Sequence, residues 1–204
     1  MFRLASIACL LATPALADPE YFRVTGVASD DTLNVREAPD GSSTDIGDLP
    51  HDATGVEVIT QENGWGRIIW FEGNGWVSMR FMEPDPVPMI ADTTLPQGLL
   101  CGGTEPFWSL RLSADNATYS DVTGTTLSMS LLDARVASGR VDFPQALRFT
   151  AEGAGAMSII RAQSCSDGMS DRSYGYALVQ LLRAGEEERF LDGCCWLPLE
   201  IGAH

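Results

Sequence analysis

Leu33-Asn34-Val35-Arg36, Ile46-Gly47-Asp48-Leu49-Pro50, Gly64-Trp65 and Gly75-Trp76-Val77 decide how the first part of this chain reads. Leu33 and Val35 alternate with polar neighbours, so both face one side of a strand. Glycine ahead of each Trp permits a turn with positive φ. Each Trp brings a large rigid surface to bury. Between the first two segments, Glu37-Ala38-Pro39-Asp40-Gly41-Ser42-Ser43 is a polar loop whose Pro-Asp-Gly is a turn signal. Working outward, Phe22 to Val27, Thr32 to Arg36, Val56 to Thr60 and Trp65 to Phe71 read as strands. Glu72-Gly73-Asn74-Gly75 reads as the turn into Trp76-Val77. No stretch here sustains a helical period, so residues 18–82 are expected to form a small β domain.

Those four segments resemble the bacterial SH3-like (SH3b) module, a small β-barrel used for binding. The resemblance covers about 60 residues. It implies recognition of a cell-wall peptide or a protein partner, with Arg36 opening the long loop beside the groove. Trp65, Trp70, Phe71 and Trp76 crowd into twelve residues. Trp65 and Ile69 share one face of their strand, and Ile68 and Trp70 share the other. One set fills the barrel and the other borders a groove. The Trp70 side is expected to be the contact surface, with Arg36 and Trp76 beside it.

Glu83-Pro84-Asp85-Pro86-Val87-Pro88 ends this unit. Alternating prolines fix φ and remove amide donors, so residues 83–97 read as a semi-rigid linker. Residues 98–204 again alternate in short runs: Phe107 to Leu112, Thr125 to Leu132, Ala146 to Thr150 and Ala156 to Ala162. Gly175 to Leu182 reads as a strand or a short helix, and Glu186-Glu187-Glu188 as an exposed turn. So many short strands point to an antiparallel barrel or sandwich, making the whole protein mainly β.

The first residues read as a secretory leader. Arg3 precedes an apolar run, Leu4 to Leu11, too short to span a bilayer, and Ala15-Leu16-Ala17 is a small-x-small cleavage signal. Residues 1–17 are therefore expected to be removed, giving a periplasmic protein with no transmembrane anchor. The chain contains no Lys. Loss of Arg3 leaves 12 Arg against 28 acidic residues, a net charge of −16. So acidic a surface argues against nucleic acid as a partner.

Four cysteines survive the leader: Cys101, Cys165, Cys194 and Cys195. An even count in an oxidising compartment favours disulfides over zinc. Adjacent cysteines rarely pair, so Cys194 and Cys195 are expected to reach Cys101 and Cys165 in one order or the other. The Cys101-to-Trp108, Cys165-to-Tyr174 and Leu191-to-Cys195 segments resemble a group of small, uncharacterised bacterial envelope proteins. Gly175 departs from that pattern, where proline is expected. Glu105, Asp167, Asp171 and Arg172 then become candidates for a polar binding site, or for a network in which Arg172 bridges Asp167 or Glu105 and holds a loop.

His51 and His204 are the only histidines, and neither suits a catalytic triad or a metal site. There is no phosphate-binding glycine loop. The expectation is a monomeric, non-enzymatic envelope-binding protein without cofactor or metal. Two other readings compete with it. One is a hydrolase of cell-wall glycan or peptide working through Glu105 and Asp167. The other is an acidic inhibitor or scaffold for a cationic envelope enzyme.

Overall fold

The computed structural model describes residues 18–199, and every described element but one is a β-strand. The expected leader lies outside the described residues. The first unit contains β1 (Glu20–Val24), β2 (Thr32–Arg36), β3 (Asp45–Pro50), β4 (Val56–Val58), β5 (Thr60–Glu62), β6 (Trp65–Trp70), β7 (Gly73–Ser78) and β8 (Met82–Pro84), with a 3₁₀ turn at Met79–Phe81. They form a five-stranded sheet, β3-β2-β7-β6-β5, and a three-stranded sheet, β4-β1-β8. Phe22, Val24, Leu33, Val35, Leu49, Val56, Val58, Ile68, Trp70 and Val77 fill the space between them.

Two expectations change here. The β6–β7 hairpin turns at Phe71-Glu72, with Gly73 already paired to Trp70. Phe71 takes the positive φ of 47°. The segment expected to be linker is also partly structured. Met82–Pro84 pairs with β1 at a sheet edge, where a proline's missing donor faces no partner strand. Ile90 and Leu95, farther along, are buried in the core of the second unit. Proline rules out helix and sheet interior, but it does not keep the apolar side chains between prolines out of a neighbouring core.

The second unit consists of β9 (Leu100–Thr104), β10 (Phe107–Leu112), β11 (Asn116–Asp121), β12 (Thr126–Val136), β13 (Gln145–Ala151), β14 (Ala154–Cys165), β15 (Tyr174–Ala184) and β16 (Glu187–Trp196). Each strand pairs antiparallel with the next, and β16 closes on β9, giving an eight-stranded up-and-down barrel. Gly175 to Leu182 is therefore strand. Eight strands leave an interior that side chains can fill, and Trp108, Leu110, Tyr119, Met129, Leu147, Ile160, Tyr176, Leu178 and Leu191 fill it. Closure removes the edges that an open sheet would expose.

The disulfides settle the open pairing. Cys101 bonds Cys195, directly opposite it across the β9–β16 closure. Cys165 bonds Cys194 and ties the end of β14 to β16. The first bridge spans 94 residues. A loop of that order restricts the unfolded chain by about 4.7 kcal/mol on the chain-entropy account.

The two units meet along β1, β4, β6 and β7 on one side and β15, its preceding loop and the residues after β16 on the other. Tyr21 and Tyr176 share a hydrogen bond of 2.7 Å between their hydroxyls. Gly175 explains its departure from the expected proline. A Cβ there would collide with Pro19 Cγ and come within 3.2 Å of Glu57 Oε1, so the first unit can dock only against a bare backbone.

Candidate functional site

The outer face of the five-stranded sheet carries a registered row. Arg36 on β2 lies opposite Trp76 on β7, and Trp76 lies opposite Arg67 on β6. Trp76 and Trp65 are half-buried on this face. Arg36 donates from Nη1 to the Ser43 carbonyl at 3.0 Å, which folds the long loop back toward the row. Arg67 donates from Nη2 to Asn74 Oδ1 and to Ser173 Oγ, each at 3.1 Å. One end of the face is thus covered by the barrel, leaving the Arg36–Trp76 part uncovered by that contact.

Trp70 corrects the expectation for the contact side. It is 7% exposed, and its Nε1 donates to the Ile46 carbonyl at 3.1 Å. Gly47, with φ 151°, lies flat beneath the indole, and a Cβ there would sit 2.5–2.9 Å from three ring atoms. Even-numbered positions of β6 therefore point into the core. The outward aromatics are Trp65 and Trp76, because a core this small has room for one indole and Trp70 occupies it.

The second candidate cluster does not converge as a unit. Asp167 accepts backbone N–H groups of Met169 and Ser170 at 3.0 and 2.9 Å, and hydroxyls of Ser170 and Tyr174 at 2.8 Å each. Partial burial opposes its ionisation, but these four donors outweigh that and hold its pKa down to about 2. Glu105 and Asp167 border one pocket of about 270 Å³ with Thr104, Asp192 and Gly193. Arg172 turns away from both. Its Nε donates to the Phe71 carbonyl at 2.6 Å, and its Nη2 meets Glu72 Oε1 at 3.1 Å. The expected bridge from Arg172 to Asp167 or Glu105 is therefore replaced by a clamp onto the SH3-like unit. The side chain can reach across because Phe71-Glu72 protrudes at the hairpin tip. Asp171 is exposed and lines a groove of about 460 Å³ with Glu72, Phe107, Met169 and Arg172.

Sequence reasoning missed the seam itself. Asn74 donates from Nδ2 to the Ser173 carbonyl and accepts the Ser173 N–H at Oδ1, at 3.2 and 2.7 Å. Glu57 is 6% exposed, and its Oε2 accepts the Leu197 N–H at 2.5 Å while Oε1 has no hydrogen-bond partner. Burial pushes its pKa up to about 8, against the partial opposition of the Leu197 N–H. In Val56-Glu57-Val58 the alternation marks Glu57 as an outward residue, and only the covering barrel makes it buried. Glu57 also lines a cavity of about 250 Å³ at the seam with Ile69, Trp196 and Leu199. Among the described residues no group of His, Cys, Asp and Glu is placed to hold a metal ion. No helix among them is long and apolar enough to cross a membrane.

Residues 31–83 match the bacterial SH3 domain family, and the match leaves the barrel unassigned. No curated protein and no solved structure matches the chain.

Proposed function

We propose that this is a non-enzymatic binding protein of the bacterial envelope whose Arg36–Trp76 face recognises cell-wall peptide. The SH3 match points to cell-wall binding, and two disulfides point to a location outside the cytoplasm. The observation that carries the reading is the row itself. Trp76 is half-buried on an outward face, is not needed by a core that Trp70 fills, and has an Arg on either side in register. An amphipathic ring beside a guanidinium suits a peptide with both apolar and carboxylate groups. The four donors around Asp167 are supplied by its own loop and by Tyr174, an arrangement that supports a loop-holding role for this carboxylate.

The test is binding of the full mature protein to purified peptidoglycan and to soluble muropeptides. Trp76→Ala and Arg36→Ala should each weaken binding at least about tenfold, equivalent to about 1.4 kcal/mol, with thermal unfolding nearly unchanged. Equal retention of both variants and wild type would sink the proposal. Muropeptide cleavage lost in Glu105→Gln would favour the hydrolase instead.

A second reading rests on the groove between the units. Phe107 and Met169, 50% and 65% exposed, border it together with Glu72 and Asp171. Apolar and acidic groups side by side suit a basic segment of an envelope protein. Binding at this groove should collapse with added salt.

A further inference from the structure

We propose that the cavity at the seam binds a small free carboxylate with an aromatic or branched apolar body. The inference goes beyond the cell-wall reading and does not rest on it, because no residue of the Arg36–Trp76 row lines this cavity.

Both units build its walls. The SH3-like unit contributes Ile69 from β6 and Phe71 from the hairpin tip. The barrel contributes Trp196 from the end of β16, with Pro198 and Leu199 after it. Ile69, Trp196 and Leu199 are half-buried, so the apolar wall can be reached from solvent. A void of about 150 Å³ lined by apolar side chains takes benzene. One of about 250 Å³ suits a ring or branched chain that carries a short polar end.

Charge selects the polar end. Among the described residues, Glu57 and Arg172 are the only ionisable side chains that line the cavity. Glu57 has one oxygen bonded to the Leu197 N–H and the other without a partner. Burial keeps its carboxyl protonated, with a pKa pushed up to about 8, so it offers hydrogen bonding without charge. Arg172 bonds the Phe71 carbonyl through Nε and Glu72 through Nη2, and neither bond uses Nη1. The Glu72 side chain is 85% exposed, so solvent screens that pair and it neutralises the guanidinium only weakly. A carboxylate therefore meets a cation and a neutral acid here, whereas an ammonium meets a like charge.

The same groups give the site a pH dependence. Tyr21 on β1 and Tyr176 on β15 are coupled to Glu57, and the exposed Asp18 is coupled to Tyr176. Burial raises both tyrosines above their ordinary range, so Glu57 is the member of this set that ionises near pH 8. Its ionisation would place a second carboxylate beside the bound one. Binding should accordingly weaken as pH rises through about 8.

Calorimetric titration of the full mature protein with phenylacetate tests this. Submillimolar binding is expected near neutral pH, with the neutral phenylacetamide and the cationic 2-phenylethylamine each at least about tenfold weaker. Ile69→Trp, which fills the cavity, should abolish phenylacetate binding while thermal unfolding stays close to wild type. Arg172→Gln should weaken phenylacetate at least about tenfold and phenylacetamide little, a difference that a loosened seam would not produce. Glu57→Gln should remove the loss of binding at high pH. No binding of phenylacetate, an amine bound as tightly as the acid, or full binding by Ile69→Trp would each overturn the proposal. So would tighter binding by Ile201→Asp, which would assign the cavity to the chain's own last residues.

Discussion

The SH3-like unit and the barrel bury their aromatics on different terms. The SH3-like unit has two short sheets and a core that admits one indole, so Trp65 and Trp76 remain on its outer face. The barrel encloses a larger interior and takes in Trp108, Tyr119 and Tyr176 together. Its surplus apolar surface lies instead on the outside of β14–β16. In a small β unit the volume of the core, more than the hydrophobicity of the side chain, decides which aromatics are left to meet a ligand. Between the units lies a polar seam, whose buried groups owe their burial to neither fold alone.

The largest expected effect concerns the barrel's closure. Replacing Cys101 and Cys195 together by Ser should destabilise the barrel by about 4–5 kcal/mol. Chemical denaturation followed by Trp108 fluorescence should show the loss. If the barrel unfolds at the wild-type midpoint, the bridge is not what secures β9 to β16.

Next comes the comparison of indoles. Trp70→Ala should cost the SH3-like unit about 3–5 kcal/mol, as truncation of a buried aromatic does, and Trp76→Ala about 1 kcal/mol or less. Differential scanning calorimetry of the two variants checks this. A reversal of the order would return Trp70 to the surface role first expected of it.

The last effect, spread over a pH window, probes the seam. Glu57 is protonated in the folded state far above its ordinary 4.5. Its folded pKa lies above its unfolded one, so the stabilisation is complete below about pH 4.5. It is lost as pH rises through about 8. The loss should be on the order of a few kcal/mol. Glu57→Gln should flatten that dependence, as read by urea unfolding across the window. An unaltered pH profile in the variant would show that Glu57 ionises freely and that the seam is wetter than its burial indicates.

Much of this was legible in the chain. β2 and β10 begin and end where alternation in Thr32–Arg36 and Phe107–Leu112 places them. The Phe71 turn and three barrel strands were not legible. β9 has the sequence Leu-Cys-Gly-Gly-Thr, β11 offers only Ala117 and Tyr119 to the interior, and β16 begins Glu-Glu-Arg. None carries enough alternating apolar residues to declare itself, because a strand inside a closed barrel takes its pairing from both neighbours. The candidate site was legible as a set of residue types but not as a set of directions.

The sequence by itself determined the β character of both units, the break between them near the prolines, and the pool of cysteines available for bridges. Those properties depend on residues near one another in the chain: period, turn chemistry and count. Tertiary structure alone decided that Cys101 meets Cys195, that Trp70 turns in while Trp76 turns out, and that Arg172 clamps Phe71-Glu72. It also turned Glu57 from an outward residue into a buried acid. Each of these follows from which surfaces come into contact, and contact between residues a hundred positions apart leaves no period in the chain.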